Sequence, residues 1–157
     1  MTVDISIVIP VYNEAENILP LYQKLRDDLS SLDRFYEVIF IDDGSTDGTF
    51  TKLAQVQAQD DHVHVIKFRK NFGKALALNT AFKMVKGGVV ITMDGDLQDD
   101  SAEIKRFLDK IQEGYDLVSG WKYPRNDPIM KTVPSNVFNS EFMSFPTSET
   151  ITELPLI

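Results

Sequence analysis

"DISIVIPVYNEAENI", residues 4–18, sets a run of β-branched apolar residues directly before an acidic loop and the first apolar position of a helical stripe. A nearly unbroken apolar run of this length suits a strand buried on both faces. Pro10 is expected to end the strand, Asn13 to cap the following helix with Glu16 at N3, and Ile18, Leu21, Tyr22, Leu25, Leu29 and Leu32 to form its buried stripe. The same alternation continues along the chain. Apolar runs recur as YEVIFID (36–42), HVHVIKF (62–68), GVVITMD (88–94) and DLVSGW (116–121). Between them, Ala75, Leu78, Phe82 and Val85 make one helical stripe, and Ile104, Phe107, Leu108 and Ile111 another, with Asp100 and Glu103 as a capping pair. Five strands separated by helices predict an α/β domain: a mostly parallel sheet with right-handed crossovers and helices on both faces. Ligands of such sheets bind outside the carboxyl ends of the strands.

The composition bounds what that domain does. At 157 residues, 43% hydrophobic and 25% charged, the chain suits one ordinary globular domain. A net charge of −8 argues against a nucleic-acid partner, because phosphate neutralisation needs a dense Lys/Arg surface. Without cysteine there is no disulfide, thiolate catalysis or Cys-ligated zinc. No apolar stretch approaches the roughly 18 residues of a membrane-spanning helix, so a soluble, cytoplasmic chain is expected. From Thr132 to Ile157 there is no Lys or Arg, and eleven of the twenty-six residues are Ser, Thr or Pro. This divides the sequence into a domain over 1–131 and a divergent, poorly ordered tail over 132–157.

Acidic loops fall at three strand ends. Asp94-Gly95-Asp96 offers two hard carboxylate ligands to Mg²⁺ or Mn²⁺, and Gly95 lets the backbone come close to a diphosphate; a solvated turn would use the same residues. Asp42, Asp43 and Ser45 can accept from a nucleobase or a ribose hydroxyl, or Asp or Ser can simply cap the next helix. In Pro10-Val11-Tyr12-Asn13-Glu14, the Tyr12 ring can stack on a base. Lys67, Arg69, Lys70 and Lys74 make the dense basic cluster of the chain, Lys67 and Lys70 being equally suited to a solvated loop.

Taken in order, IVIPVYNEAENI, IDDGSTDGT, RKNFGKALALNTAF, MDGDLQDD and DLVSGWKYPRND resemble the successive signatures of family 2 glycosyltransferases with the GT-A fold. The likeness is strongest to the branch that transfers glucose, mannose or a related sugar to a polyprenyl phosphate in cell-envelope glycan synthesis. It runs from about residue 4 to about residue 139. The resemblance implies a nucleotide pocket lined by Pro10, Tyr12, Asn13, Glu14, Asp42, Asp43, Ser45, Gly73 and Lys74, a metal and catalytic pair in Asp94 and Asp96, and Gln98 completing the metal motif. It implies an inverting transfer from a UDP- or GDP-linked hexose, with Mg²⁺ or Mn²⁺ as cofactor. After Asn139 the family's acceptor-side motifs and membrane helices do not follow. That departure reads as truncation, with membrane association left to the missing region or to the acceptor, and a binding-only remnant as the alternative.

Other features carry less. His62 and His64 share a strand face without a third ligand at zinc-like spacing, and are expected to be structural. Trp121 suits packing as well as acceptor contact, and Lys122, Arg125 and Lys131 are too dispersed to define a membrane surface. A dinucleotide-binding oxidoreductase is disfavoured because PVYNEA stands where G-x-G-x-x-G is needed.

Overall fold

Residues 2–122 and 151–156 are described by a computed structural model. Strands β1 (Ile5–Val11), β2 (Tyr36–Asp42), β3 (Val63–Lys67) and β4 (Val89–Thr92) form a parallel sheet in the order β3-β2-β1-β4. Helices α1 (Ile18–Ser30), α2 (Thr49–Gln57) and α3 (Lys74–Phe82) connect them. The chain moves outward from β1 to β3 and then returns to β1's other side. The topological switch point therefore falls between β1 and β4, and the carboxyl ends of the strands there are where sheets of this kind bind ligands.

Alternation divides the core. Val8, Ile39 and Ile41 face α3, where Ala77 and Ala81 are buried against them and Ile66, Phe68, Leu78 and Val85 close the margin. Ile7, Ile9, Val38 and Phe40 point to the other face, which α1 and α2 cover through Ile18, Leu21, Leu25, Leu29, Leu53 and Val56. The expected α1 stripe is buried from Ile18 to Leu29, and Leu32 lies past the helix end.

The α3 face differs from expectation. Ala77 and Ala81 turn inward, while Ala75 and Phe82 are exposed. Small side chains let this helix approach the sheet closely, and the bulkier Phe82 is excluded from the contact. Pro10 does not end β1, which continues to Val11. Residue 10 faces the β4 side, as Val8 does, and pairing with β4 stops at Val8↔Thr92, so no ladder donor is required of Pro10.

Asn13 does not cap α1 either. The helix begins after Asn17, and Asn13 adopts a left-handed φ of 55° that asparagine tolerates. Asp100 does cap the following turn, η1 (Ser101–Glu103), through the Ala102 N–H.

The fifth run forms β5 (Leu117–Lys122), but outside the four-stranded sheet: it pairs in parallel with β6 (Ile151–Leu156). Asp116, Ser119 and Gly120 interrupt its apolar character, and Leu117 is exposed. A strand thus occurs within the tail expected to be irregular, and contacts divide the chain into Met1–Ile104 and Lys105–Ile157, the latter including most of α4 (Ile104–Gln112). Arg125, Lys131 and residues 132–150 lie outside the described residues, as do the side chains of Trp121 and Lys122.

Candidate functional site

The first three loops are bound to one another by side-chain hydrogen bonds. In the loop after β1, the Asn13 N–H donates to Ser45 Oγ at 2.9 Å and Asn13 Oδ1 accepts from the Thr46 N–H at 2.9 Å. The Glu14 and Ala15 N–H groups donate to Thr49 Oγ1 and Asp47 Oδ2, at 2.9 and 3.1 Å. Asp47 also accepts from the Thr49 hydroxyl and N–H, at 2.6 and 3.0 Å. The Thr49 hydroxyl bond, followed by backbone N–H donors, holds the Asp47 carboxyl below the usual aspartate range. The Glu14 carboxylate accepts from Asn17 Nδ2 at 2.6 Å, leaving Tyr12 exposed at the loop tip.

Asp43 carries the link to the third loop. Its backbone N–H donates to Val11 O at 2.9 Å, and its carboxylate accepts from the Phe72 and Gly73 N–H groups at 2.8 and 2.9 Å. Gly44 makes this approach sterically possible. Its φ is +76°, and an added Cβ would lie 2.3 Å from the Lys70 carbonyl carbon. The adjacent Asp42 is fully buried: Oδ1 accepts from the Ser45 N–H at 2.9 Å, while Oδ2 has no hydrogen-bond partner among the described residues.

At the fourth strand end, the Lys74 ammonium pairs with Asp94 Oδ1. The Asp94 N–H donates to Asp99 Oδ2 at 2.7 Å, and the Gln98 N–H donates to Asp96 Oδ1 at 3.0 Å. Gln98 thus meets the motif through its backbone. Gly95 abuts β1, where an added Cβ would stand 2.5 Å from Val11 Cγ1, which draws the acidic pair towards the Tyr12 loop. Asp94 is half-buried and Asp96 exposed. Among the described residues no group of three His, Cys, Asp or Glu side chains converges on a cation position. Asp94, paired with Lys74, and Asp96, bonded to the Gln98 N–H, are the carboxylates here that could hold an ion together with the oxygens of a diphosphate.

The basic cluster disperses. Lys67 lies over the Phe50 ring at 4.0 Å and Lys70 over Phe72 at 5.1 Å, so Lys74 is its member joined to the acidic pair. His62 stacks on Tyr36 and bonds Asp60 at 2.8 Å, and His64 Nε2 stands 3.6 Å from the buried Glu37, both away from these loops. Asp47 and Thr49 fall within the acidic motif 41–49 and turn out to bond the loop after β1, whereas Phe72 was not expected from sequence. The spacing in Asp47-Gly48-Thr49 signals a local turn, whereas nothing in the sequence marks Phe72 except its place beside Gly73.

The architecture is a doubly wound α/β domain with acidic loops gathered at one edge of the sheet. The chain belongs to glycosyltransferase family 2: the family model "Glycosyl transferase family 2" matches residues 6–154, beyond the expected limit near residue 139. The undecaprenyl-phosphate 4-deoxy-4-formamido-L-arabinose transferase of Klebsiella pneumoniae (strain 342) is 36% identical over 136 residues. That match takes in 86% of this chain and 42% of the transferase, so the chain spans less than half the relative's length. The fold is GT-A. The mannosyltransferase PcManGT from Pyrobaculum calidifontis, solved with GDP-Man and Mn²⁺, superposes with a TM-score of 0.61 at 26% identity, over 80% of this chain and 37% of that one. S. aureus TarS 1-349 with UDP-GlcNAc gives 0.59 at 25% identity, over 80% and 37%. No described helix is long and apolar enough to cross a membrane.

Proposed function

We propose that this chain is the donor-binding part of an inverting glycosyltransferase that passes a hexose from a UDP- or GDP-linked sugar to a polyprenyl phosphate. The observation that carries the reading is the series of bonds that links the four strand-end loops, from Asn13–Ser45 through Asp43–Gly73 to the Lys74–Asp94 ion pair. So acidic an edge repels a diphosphate unless a cation intervenes. Solved relatives carrying GDP-Man with Mn²⁺ and UDP-GlcNAc support the same chemistry.

In this reading Tyr12 stacks on the base, and the buried Asp42 supports the nucleotide pocket from beneath through its bond to the Ser45 N–H. Pro10, Asn13, Glu14, Asp43, Ser45 and Gly73 shape and hold the nucleotide pocket. Asp94 and Asp96, with Gln98 beside them, would hold Mg²⁺ or Mn²⁺. That ion, when bound, supplies charge neutralisation for the leaving nucleoside diphosphate. Attack by an acceptor phosphate oxygen forms the new bond at the anomeric carbon as the bond to the diphosphate breaks. A phosphate monoester, with a second pKa of about 6, is mostly ionised at neutral pH and needs no general base. Any membrane association comes through the acceptor or a region outside this sequence.

Calorimetric titration of UDP-glucose and GDP-mannose, with and without Mn²⁺, tests the donor site. One nucleotide sugar is expected to bind with Mn²⁺ dependence, and Asp96→Asn to remove most of the metal-assisted gain. Metal-independent binding indifferent to that substitution overturns the reading. A second reading is nucleotide-sugar binding by this chain without transfer. Turnover with polyprenyl phosphate supports transfer, while binding without turnover supports the remnant.

A further inference from the structure

Lys74 opens α3, a helix whose N-cap is Gly73 and which has neither a side-chain cap nor an acidic residue in its first turn. A cation there opposes the helix dipole, which favours negative charge at an N-terminus. Helix stability therefore does not account for the lysine. The Lys74 ammonium is instead directed across to Asp94, the first carboxylate of the acidic pair. With side chains 58% and 43% exposed, this ion pair adds little stability, on the order of 0–1 kcal/mol for surface pairs. It is consequently easy to exchange.

We propose that Lys74 is an exchangeable counter-ion. It neutralises Asp94 in the ligand-free chain, and it transfers to the diphosphate when the nucleotide arrives with its divalent ion. This rests on the donor-site reading above and adds an order to it: the ion alone is disfavoured and enters with the nucleotide. The open two-carboxylate set is too sparse to hold an ion strongly by itself, and Lys74 lowers its effective charge further. Once a diphosphate supplies new acceptors, the same ammonium gains a stronger partner than a solvated carboxylate.

The test compares the full 157-residue chain with Lys74→Met and Lys74→Arg. Calorimetry measures Mn²⁺ alone, then UDP and GDP in the presence of Mn²⁺. Lys74→Met is expected to tighten binding of Mn²⁺ alone by about two- to fivefold, the equivalent of a surface ion pair. It is expected to weaken the Mn²⁺-dependent nucleotide complex by about tenfold, as loss of a charge-assisted bond does. Lys74→Arg should stay near wild type in both. A merely structural lysine would move both affinities in one direction, so Mn²⁺ affinity that is unchanged or weaker in Lys74→Met overturns the proposal, as does an unaltered nucleotide affinity. Lys74→Gln with a circular dichroism melt separates misfolding from loss of charge. If wild type binds neither nucleotide with Mn²⁺, the donor-site reading itself fails. If wild type binds one of them but the two affinities do not move oppositely, Lys74's role alone fails.

Discussion

Asp42 illustrates how much depends on single atoms at this edge. A buried acceptor without a donor costs about 1–3 kcal/mol, and its Oδ2 is such an atom. Asp42→Asn keeps the shape and a carbonyl for the Ser45 N–H, yet removes the charge. Nucleotide affinity should fall, through the loop that the Ser45 N–H bond holds in place, while the melting temperature holds or rises because the cost of burying the carboxylate is removed. Calorimetry and thermal melting check the opposite signs. Gly44→Ala should instead damage both. A left-handed φ and a Cβ against the Lys70 backbone together cost at least about 2 kcal/mol, read by urea unfolding. Sequence made the acidic residues visible as candidates, but it could not show that Asp43 is engaged by the Phe72 and Gly73 N–H groups. That bond spans some thirty residues and depends on tertiary packing.

At the level of elements, regularly spaced α1 was legible because its large apolar residues recur every three or four positions. In α3 Leu78 and Val85 pack at the margin as expected, but Phe82 misled, since close packing selected Ala77 and Ala81 over it. Asn13 misled for a different reason. Its side chain satisfies the next loop rather than its own helix, and only the fold brings those loops together. The interlock should depend on acid. Asp47's carboxyl titrates below its ordinary value, so the stability it adds is fully present above the unfolded pKa of about 3.9 and is lost as pH falls through the folded value. Asp100, held low first by Lys24 and then by the Ala102 N–H, acts in the same direction between α1 and η1. In an NMR titration, the Ala15 and Thr49 amide signals should shift together with one midpoint below the usual aspartate range. Separate midpoints, or none below it, would show that Asp47 does not join the two loops.

Across the whole molecule, β1 and β2 were readable because they are buried runs, which leave a strong sequence signal, and β3 and β4, only partly buried, were readable from their Val and Ile content. β5 was readable as a strand but not in its pairing, because local composition does not name a partner, and β6 lay in a segment whose Ser, Thr and Pro content suggested no regular structure. Every residue proposed for the donor site lies within Met1–Ile104. The core beneath it, from Val8 and Ile39 to Ala77 and Ala81, is drawn from the same segment. Nucleotide binding should therefore survive removal of everything after residue 122. A chain of residues 1–122 is expected to bind its nucleotide sugar with Mn²⁺ within about threefold of the full chain, a difference below 1 kcal/mol. A loss beyond tenfold, about 1.4 kcal/mol, with the circular dichroism spectrum of a folded α/β domain retained, would show that later residues take part in holding the donor.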